Sequence, residues 1–364
     1  MLDHKDCKRG GVRPLHALFF VACAFLVGCG TRSVELADPV EIDDPVTSST
    51  TSTTSSTTTS TTTSSTTTTS STTTTTTVPP LAFDDEGVPV NGQTSGVVMT
   101  TTGWVVPVLG PIAQGWRVWT PCGREAEIST GDFVAAVDIV LDPGHGGSEP
   151  GAVGPGGTRE ADINLQVARR VRDALEAEGH SVLLTRNSDI RVPIVTRAEI
   201  ALALDPIANI SIHHNAGTEE VSTDPGTEMF FQLASPESKR LAGLIFEETR
   251  EFLDPLGSTW FALDDAGAMG RTNREGGDYY GMLRRPAAVT SVLAEFAYIT
   301  NPVEEDLLNR ADVQDGLAAA VRDAVERFVS TEDPGSGFTV DPIFRGFGPS
   351  GAGRTTNCTD PALE

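Results

Sequence analysis

The chain has 364 residues, 26 of them Lys or Arg and 50 Asp or Glu, for a formal charge of -24 at pH 7. A surface this acidic is repelled by phosphate backbones and by anionic lipid surfaces, which argues against nucleic acid or a polybasic membrane patch as partners. The stretch from Thr47 to Thr77 contains only Ser and Thr and cannot build a core, so less chain is left for folding than the length suggests.

At the N-terminus, Lys5, Lys8, Arg9 and Arg13 precede an apolar run from Leu15 to Val27. The run is too short and too abruptly ended for a comfortable transmembrane helix, which is the layout of an export signal. It closes on Leu26, Val27, Gly28 and Cys29, a tetrapeptide that resembles the lipobox of bacterial lipoproteins. That resemblance implies a signal peptide over residues 1–29, a lipid on the Cys29 thiol, and a folded part in the cell envelope, tethered to the membrane and facing outward. Residues 30–90 form the linker expected of a flexible or O-glycosylated stalk. A flexible coil of that length has a root-mean-square span of about 40 Å. With Cys7, Cys23 and Cys29 assigned to the signal, only Cys122 and Cys358 remain, and an oxidising compartment lets these two close a single disulfide.

Residues 91–136 carry short β-branched and aromatic runs, GVVMTTTGWVVPVLG and GWRVWTPCG, broken by Gly and Pro. They predict a small N-terminal β subdomain, read here as a packing cap on the main domain rather than as a wall-binding module. From residue 137 the pattern changes to alternating strand and helix. VDIVLD predicts a strand. The next segment, with Ile163, Leu165, Val167, Ala168, Val171 and Leu175 on one face and Gly179 after it, predicts an amphipathic helix. SVLLT, a helix over 196–204, NISI, EMFFQ, a helix over 236–252, SVLAEF and a final helix follow in order. The expected fold is therefore α/β, an open, mostly parallel sheet flanked by helices, over residues 137–330. Residues 331–364 are expected to be a tail tied to the β subdomain through Cys358.

Candidate chemistry sits at the strand ends. VDIVLDPGHGG delivers His145 on a glycine loop after the first strand, ANISIHHNA delivers His213 and His214 after another, and SVLAEF delivers Glu295 at the end of a third. In open α/β sheets ligands bind beyond the carboxyl ends of the strands, so these segments can converge there, and two imidazoles with a carboxylate suggest a metal. DPGHGG is no phosphate cradle, because it lacks the Lys-Ser/Thr of a P-loop. Adjacent side chains on a strand point to opposite faces, so one of the two neighbouring His should face elsewhere. A carboxylate inside VLAEFAY needs a partner cation, hydrogen bonds or a task.

At LDPGHGGSEPGAVGPGGTREAD, LLTR, NISIHHNA and LAEFAYITNPVEEDLL the sequence resembles the zinc-dependent N-acetylmuramoyl-L-alanine amidases. The resemblance covers nearly the whole of residues 139–328. It implies one Zn2+ per chain, held by His145, Glu160 and His213, with Glu295 as the catalytic carboxylate. It also implies peptidoglycan as the substrate, cut between N-acetylmuramic acid and the L-alanine of the stem peptide; the chain is expected to be a monomer. His214 is expected to face away from the metal and to be dispensable for it. Thr290 stands where the family usually places a Pro, and Ala297 where it commonly has a Gly. The alternatives are a zinc peptidase that cuts within the stem, and a wall-binding lipoprotein without catalysis.

Overall fold

The computed structural model of the chain describes residues 94–217, 226–256, 267–339, 342–344 and 358–364. The expectations for the export signal, for Cys29 and its lipid, and for the Ser/Thr stalk lie outside the described residues. Among the described residues no helix is long and apolar enough to cross a membrane.

Five short strands come first: β1 (Val97–Met99), β2 (Val105–Ile112), β3 (Gly115–Trp119), β4 (Glu125–Ile128) and β5 (Asp132–Val134). They form one antiparallel sheet in the order β4-β3-β2-β1-β5. Only glycine fits at the turn between β2 and β3, because Gly115 has φ +118° and an added Cβ would lie 2.0 Å from the Ile128 carbonyl oxygen.

The α/β part follows as β6 (Ile139–Pro143), α1 (Glu160–Ala177), β7 (Val182–Leu184), α2 (Ile194–Leu204), β8 (Ala208–Asn215), β9 (Glu228–Phe231) and α3 (Pro236–Leu253). It continues through β10 (Gly267–Met269), β11 (Arg271–Thr272), α4 (Gly281–Arg284), β12 (Ser291–Tyr298), α5 (Pro302–Leu308), α6 (Ala311–Ser330) and β13 (Ile343–Phe344). Six strands make the main sheet in the order β10-β9-β12-β8-β6-β7. Every pairing is parallel except that of β9 with β12.

Strand alternation decides which face each side chain serves. Ile210 and Ile212 of β8, with Val292, Ala294 and Phe296 of β12, turn toward α1, α3 and α6, where Ile163, Val171, Leu241, Ile245, Leu317 and Val321 complete the larger core. The residues between them turn the other way. There Leu293 packs with Phe230, Met269 and Leu283, and Val140 packs with Ile200 and Leu204 of α2. Val97 and Val105 join that second group from the small sheet, while Val98, Val106, Val108, Val118 and Ile128 form the small sheet's own core. Each aliphatic side chain fully buried at this seam contributes roughly 1.5–3 kcal/mol relative to exposure. Hydrogen bonds from Gly96 N–H to the Ala203 carbonyl (2.8 Å) and from the Thr196 hydroxyl to the Pro121 carbonyl (3.1 Å) fix the contact.

Two of the helices start where a side chain satisfies open N–H groups. Ser235 caps α3 by accepting from Ser238 N–H, and Asn301 caps α5 by accepting from Val303 N–H, each with Pro at the next position. Beyond α6 the chain returns along the sheet, and Thr339 N–H donates to the Ala268 carbonyl at 3.0 Å, covering the exposed edge of β10. Residues 358–364 then lie on the small sheet. Cys358 is bonded to Cys122, 236 positions away in sequence, Leu363 enters the small core, and Arg124 donates to Asp360 at 2.8 Å.

Candidate metal centre

β6 ends at Pro143, and His145 follows two residues later with φ +60°, a left-handed backbone that L-residues with a bulky side chain rarely adopt. Such a residue costs of order 1–3 kcal/mol and persists only where its surroundings over-determine it. Two buried guanidinium groups do so here. Arg197 donates to the His145 carbonyl (2.7 Å), the Pro143 carbonyl (2.7 Å) and the Asp142 carboxylate (2.6 Å). Arg186 donates to the carbonyls of Pro143, Gly144 and Ala161, each at 2.8 Å. Burial, and then the like charge of Arg197, pushes the Arg186 guanidinium down to about 10, still a cation at neutral pH. Burial works against ionising Asp142, but the Arg197 charge and hydrogen bonds from Thr185, Arg197 and Ser211 outweigh it and hold the carboxyl below its ordinary range.

Glu160 is the first residue of α1, where the helix dipole favours an anion. Its Oε2 lies 3.1 Å from His145 Nε2 and its Oε1 lies 2.8 Å from His213 Nδ1. The rings of the two histidines stand edge to face with centroids 4.8 Å apart. Oε2 also accepts from Ala152 N–H at 2.8 Å, and Oε1 from the Asn164 amide at 3.2 Å and from His214 N–H at 3.3 Å. Burial opposes the charge on Glu160, but hydrogen bonds and positive charge from His145 and His213 prevail and hold the carboxyl well below the usual range. Burial lowers the His213 imidazole as well, partly offset by the hydrogen bond to Glu160 and by its charge.

Of the residues singled out in the sequence, His145, Glu160 and His213 thus meet, with one ligand atom of each within 4.8 Å of the others. Ligand atoms around a small tetrahedral ion stand about 3.4 Å apart, so this donor set fits a divalent ion with little movement. The surrounding backbone is shaped for it: a Cβ on Gly151 would fall 2.4 Å from Glu160 Oε2, and one on Gly144 would fall 2.0 Å from His213 Nε2. Gly144→Ala is therefore expected to displace the His213 ring. Metal affinity measured by chelator competition should therefore fall, and wild-type affinity would refute the cradle.

Glu295 is the direct partner of His213 in the parallel pairing of β12 with β8. Adjacent strands are about 4.8 Å apart, so the two side chains stand side by side on one face. His214 takes the opposite face beside Phe296, with ring centroids 5.8 Å apart, and burial lowers its imidazole to about 3. It is nevertheless connected to the cluster, because its Nδ1 lies 2.8 Å from Asn164 Oδ1. Cys122 and Cys358 are bonded to each other and are not among the three clustered ligand residues.

Sequence reasoning passed over several residues of this neighbourhood. Glu228 of β9 is the partner of Glu295 on its other side and accepts from Arg271 at 3.1 Å and from Asn215. A carboxylate opening the apolar run EMFF raises the same question as Glu295 in VLAEFAY, and that signal was available. Arg186 was visible only as part of the LLTR marker, without a role. Asn164 and Arg197 gave no signal, since each falls on a helix whose periodicity already accounts for it.

An α/β sheet that gathers two imidazoles and a carboxylate at its strand ends defines a class of proteins able to hold a catalytic ion. Residues 139–327 match the family described as N-acetylmuramoyl-L-alanine amidase, and the chain belongs to that family. The amidase AmiC of Neisseria meningitidis is 28% identical over 223 residues, covering 53% of this chain and 53% of its own. AmiC of Escherichia coli is 30% identical over 221 residues, covering 52% of each. The chain thus spans about half the length of these two relatives. Among solved structures, Cwp6 from Clostridium difficile is 27% identical with a TM-score of 0.48, covering 54% of this chain and 30% of that one.

Proposed function

We propose that this chain is a zinc-dependent amidase of peptidoglycan that cuts between the lactyl group of N-acetylmuramic acid and the L-alanine of the stem peptide. It works in the cell envelope as a monomer, on a lipid anchor at Cys29. The observation that carries the reading is the meeting of His145, Glu160 and His213 at the strand ends of a chain in the amidase family. Zinc accepts two nitrogens and an oxygen, and three protein ligands leave a fourth position open, as catalytic sites do and closed structural sites do not.

When bound, zinc supplies polarisation of the amide carbonyl and a lowered pKa for the attacking water. The chain's own groups do the rest. Glu295, beside His213, accepts the water proton and returns it to the departing nitrogen, so that an acid and a free amine leave. Glu160 is held by the donors that are not metal ligands, the Ala152 and His214 N–H groups and the Asn164 amide, and Arg186 with Arg197 keeps the His145 loop in its left-handed turn.

Mass spectrometry of digested peptidoglycan tests the bond. Intact stem peptides with a free N-terminal alanine, beside glycans without peptides, are expected; shortened stems still joined to muramic acid would instead establish the peptidase. For the anchor, Cys29→Ser is expected to release the protein from the membrane fraction or block its processing. Normal cleavage with unchanged membrane retention would refute the lipid.

A further inference from the structure

Glu160 and Asn164 are four residues apart on α1 and therefore share one face of the helix. Asn164 is fully buried, and its amide nitrogen donates to two groups, the Glu160 carboxylate and the Gly144 carbonyl, each at 3.2 Å. Both partners can only accept, which fixes the orientation of the amide: the NH2 end faces them and Oδ1 faces away. Oδ1 lies 2.8 Å from His214 Nδ1, so that nitrogen must carry the proton. The other ring nitrogen is buried and has no hydrogen-bond partner among the described residues. The Asn164 contact is thus the only side-chain hydrogen bond that orients His214 among the described residues.

The direction of donation is then set along the whole line, from His214 to Asn164 and from Asn164 to Glu160 and to the loop that carries His145. If the His214 donor is lost, Asn164 Oδ1 is buried without a partner, and the amide is free to turn its oxygen toward the carboxylate, where two acceptors repel. From this geometry we infer that Asn164 and His214 are a positioning pair that sets the Glu160 carboxylate and the Gly144 turn for the metal. The inference rests on the zinc reading above and replaces the expectation that His214 is dispensable. Neither residue touches the metal or the reacting atoms; both act through Glu160. Outer partners of this kind typically contribute 10- to 100-fold in metal affinity.

The test measures zinc affinity of the full chain by chelator competition, together with the thermal midpoint of the metal-free protein. His214→Phe keeps an aromatic ring and removes the donor; it is expected to weaken zinc about 10- to 100-fold with the metal-free midpoint little changed. His214→Asn places an amide N–H close to where the ring Nδ1–H was, and is expected to restore affinity to within a few-fold of wild type. Asn164→Ala should weaken zinc at least as much as His214→Phe. Should Asn164→Ala fail to fold, the two His214 variants still decide. Wild-type affinity in His214→Phe, or equal losses in His214→Phe and His214→Asn, would overturn the pair while leaving the zinc reading intact. Wild-type protein that takes up no zinc would overturn both.

Discussion

Glu295→Gln is expected to lose about 100- to 10,000-fold in turnover on purified peptidoglycan while still binding close to one zinc per chain. The substitution keeps the size and shape of the side chain and removes only its ability to take a proton. Glu295 stands beside His213 in register and is absent from the cluster of three ligand atoms, so losing its charge should leave the donor set whole. Zinc content by elemental analysis, set beside the rate, reads the two effects separately. A variant that loses its metal, or one that keeps wild-type turnover, would remove Glu295 from the role of proton carrier.

The opposite pattern is expected for His145→Ala, Glu160→Ala and His213→Ala, in which zinc and activity fall together. Glu160→Ala should be the most severe, because Glu160 is the group on which the others converge. Five donors surround its two oxygens, from His145, His213, Asn164 and the backbone of Ala152 and His214. Removing the carboxylate leaves the buried Asn164 amide and His214 N–H without this acceptor, and each group stranded costs about 1–3 kcal/mol. Glu160→Ala is therefore expected to lower the unfolding midpoint as well, whereas the two histidine variants each remove one donor and should cost less. A zinc-replete Glu160→Ala protein of wild-type stability would contradict this account.

The sequence made the long elements legible because their periodicity is strong. α1, α3, α6, β6, β8 and β12 all fall where alternation or helical spacing placed them, and His145, His213 and Glu295 were readable as residues that leave a strand into a crevice. Glu160 is a different case. It lies in a loop-to-helix junction with no apolar pattern to locate it, and motif resemblance singled it out where periodicity did not. The short elements β10, β11, α4 and α5 were not read. With two to seven residues each, they span too few turns or alternations for a period to show, and neighbours in space define them. The antiparallel place of β9 in the sheet was also invisible, since EMFF reads as an apolar strand in either direction.

The bond between Cys122 and Cys358 and the seat of Leu363 in the small core imply an order of assembly that runs against the order of synthesis. Domains generally fold from the N-terminal side as the chain emerges. Here the strands from Val97 to Val134 appear first and cannot finish, because a core side chain, a salt bridge to Arg124 and the covalent closure all come from residues 358–364. The first part of the fold to be made thus receives its last core side chain and its covalent closure only after the whole α/β segment has been synthesised.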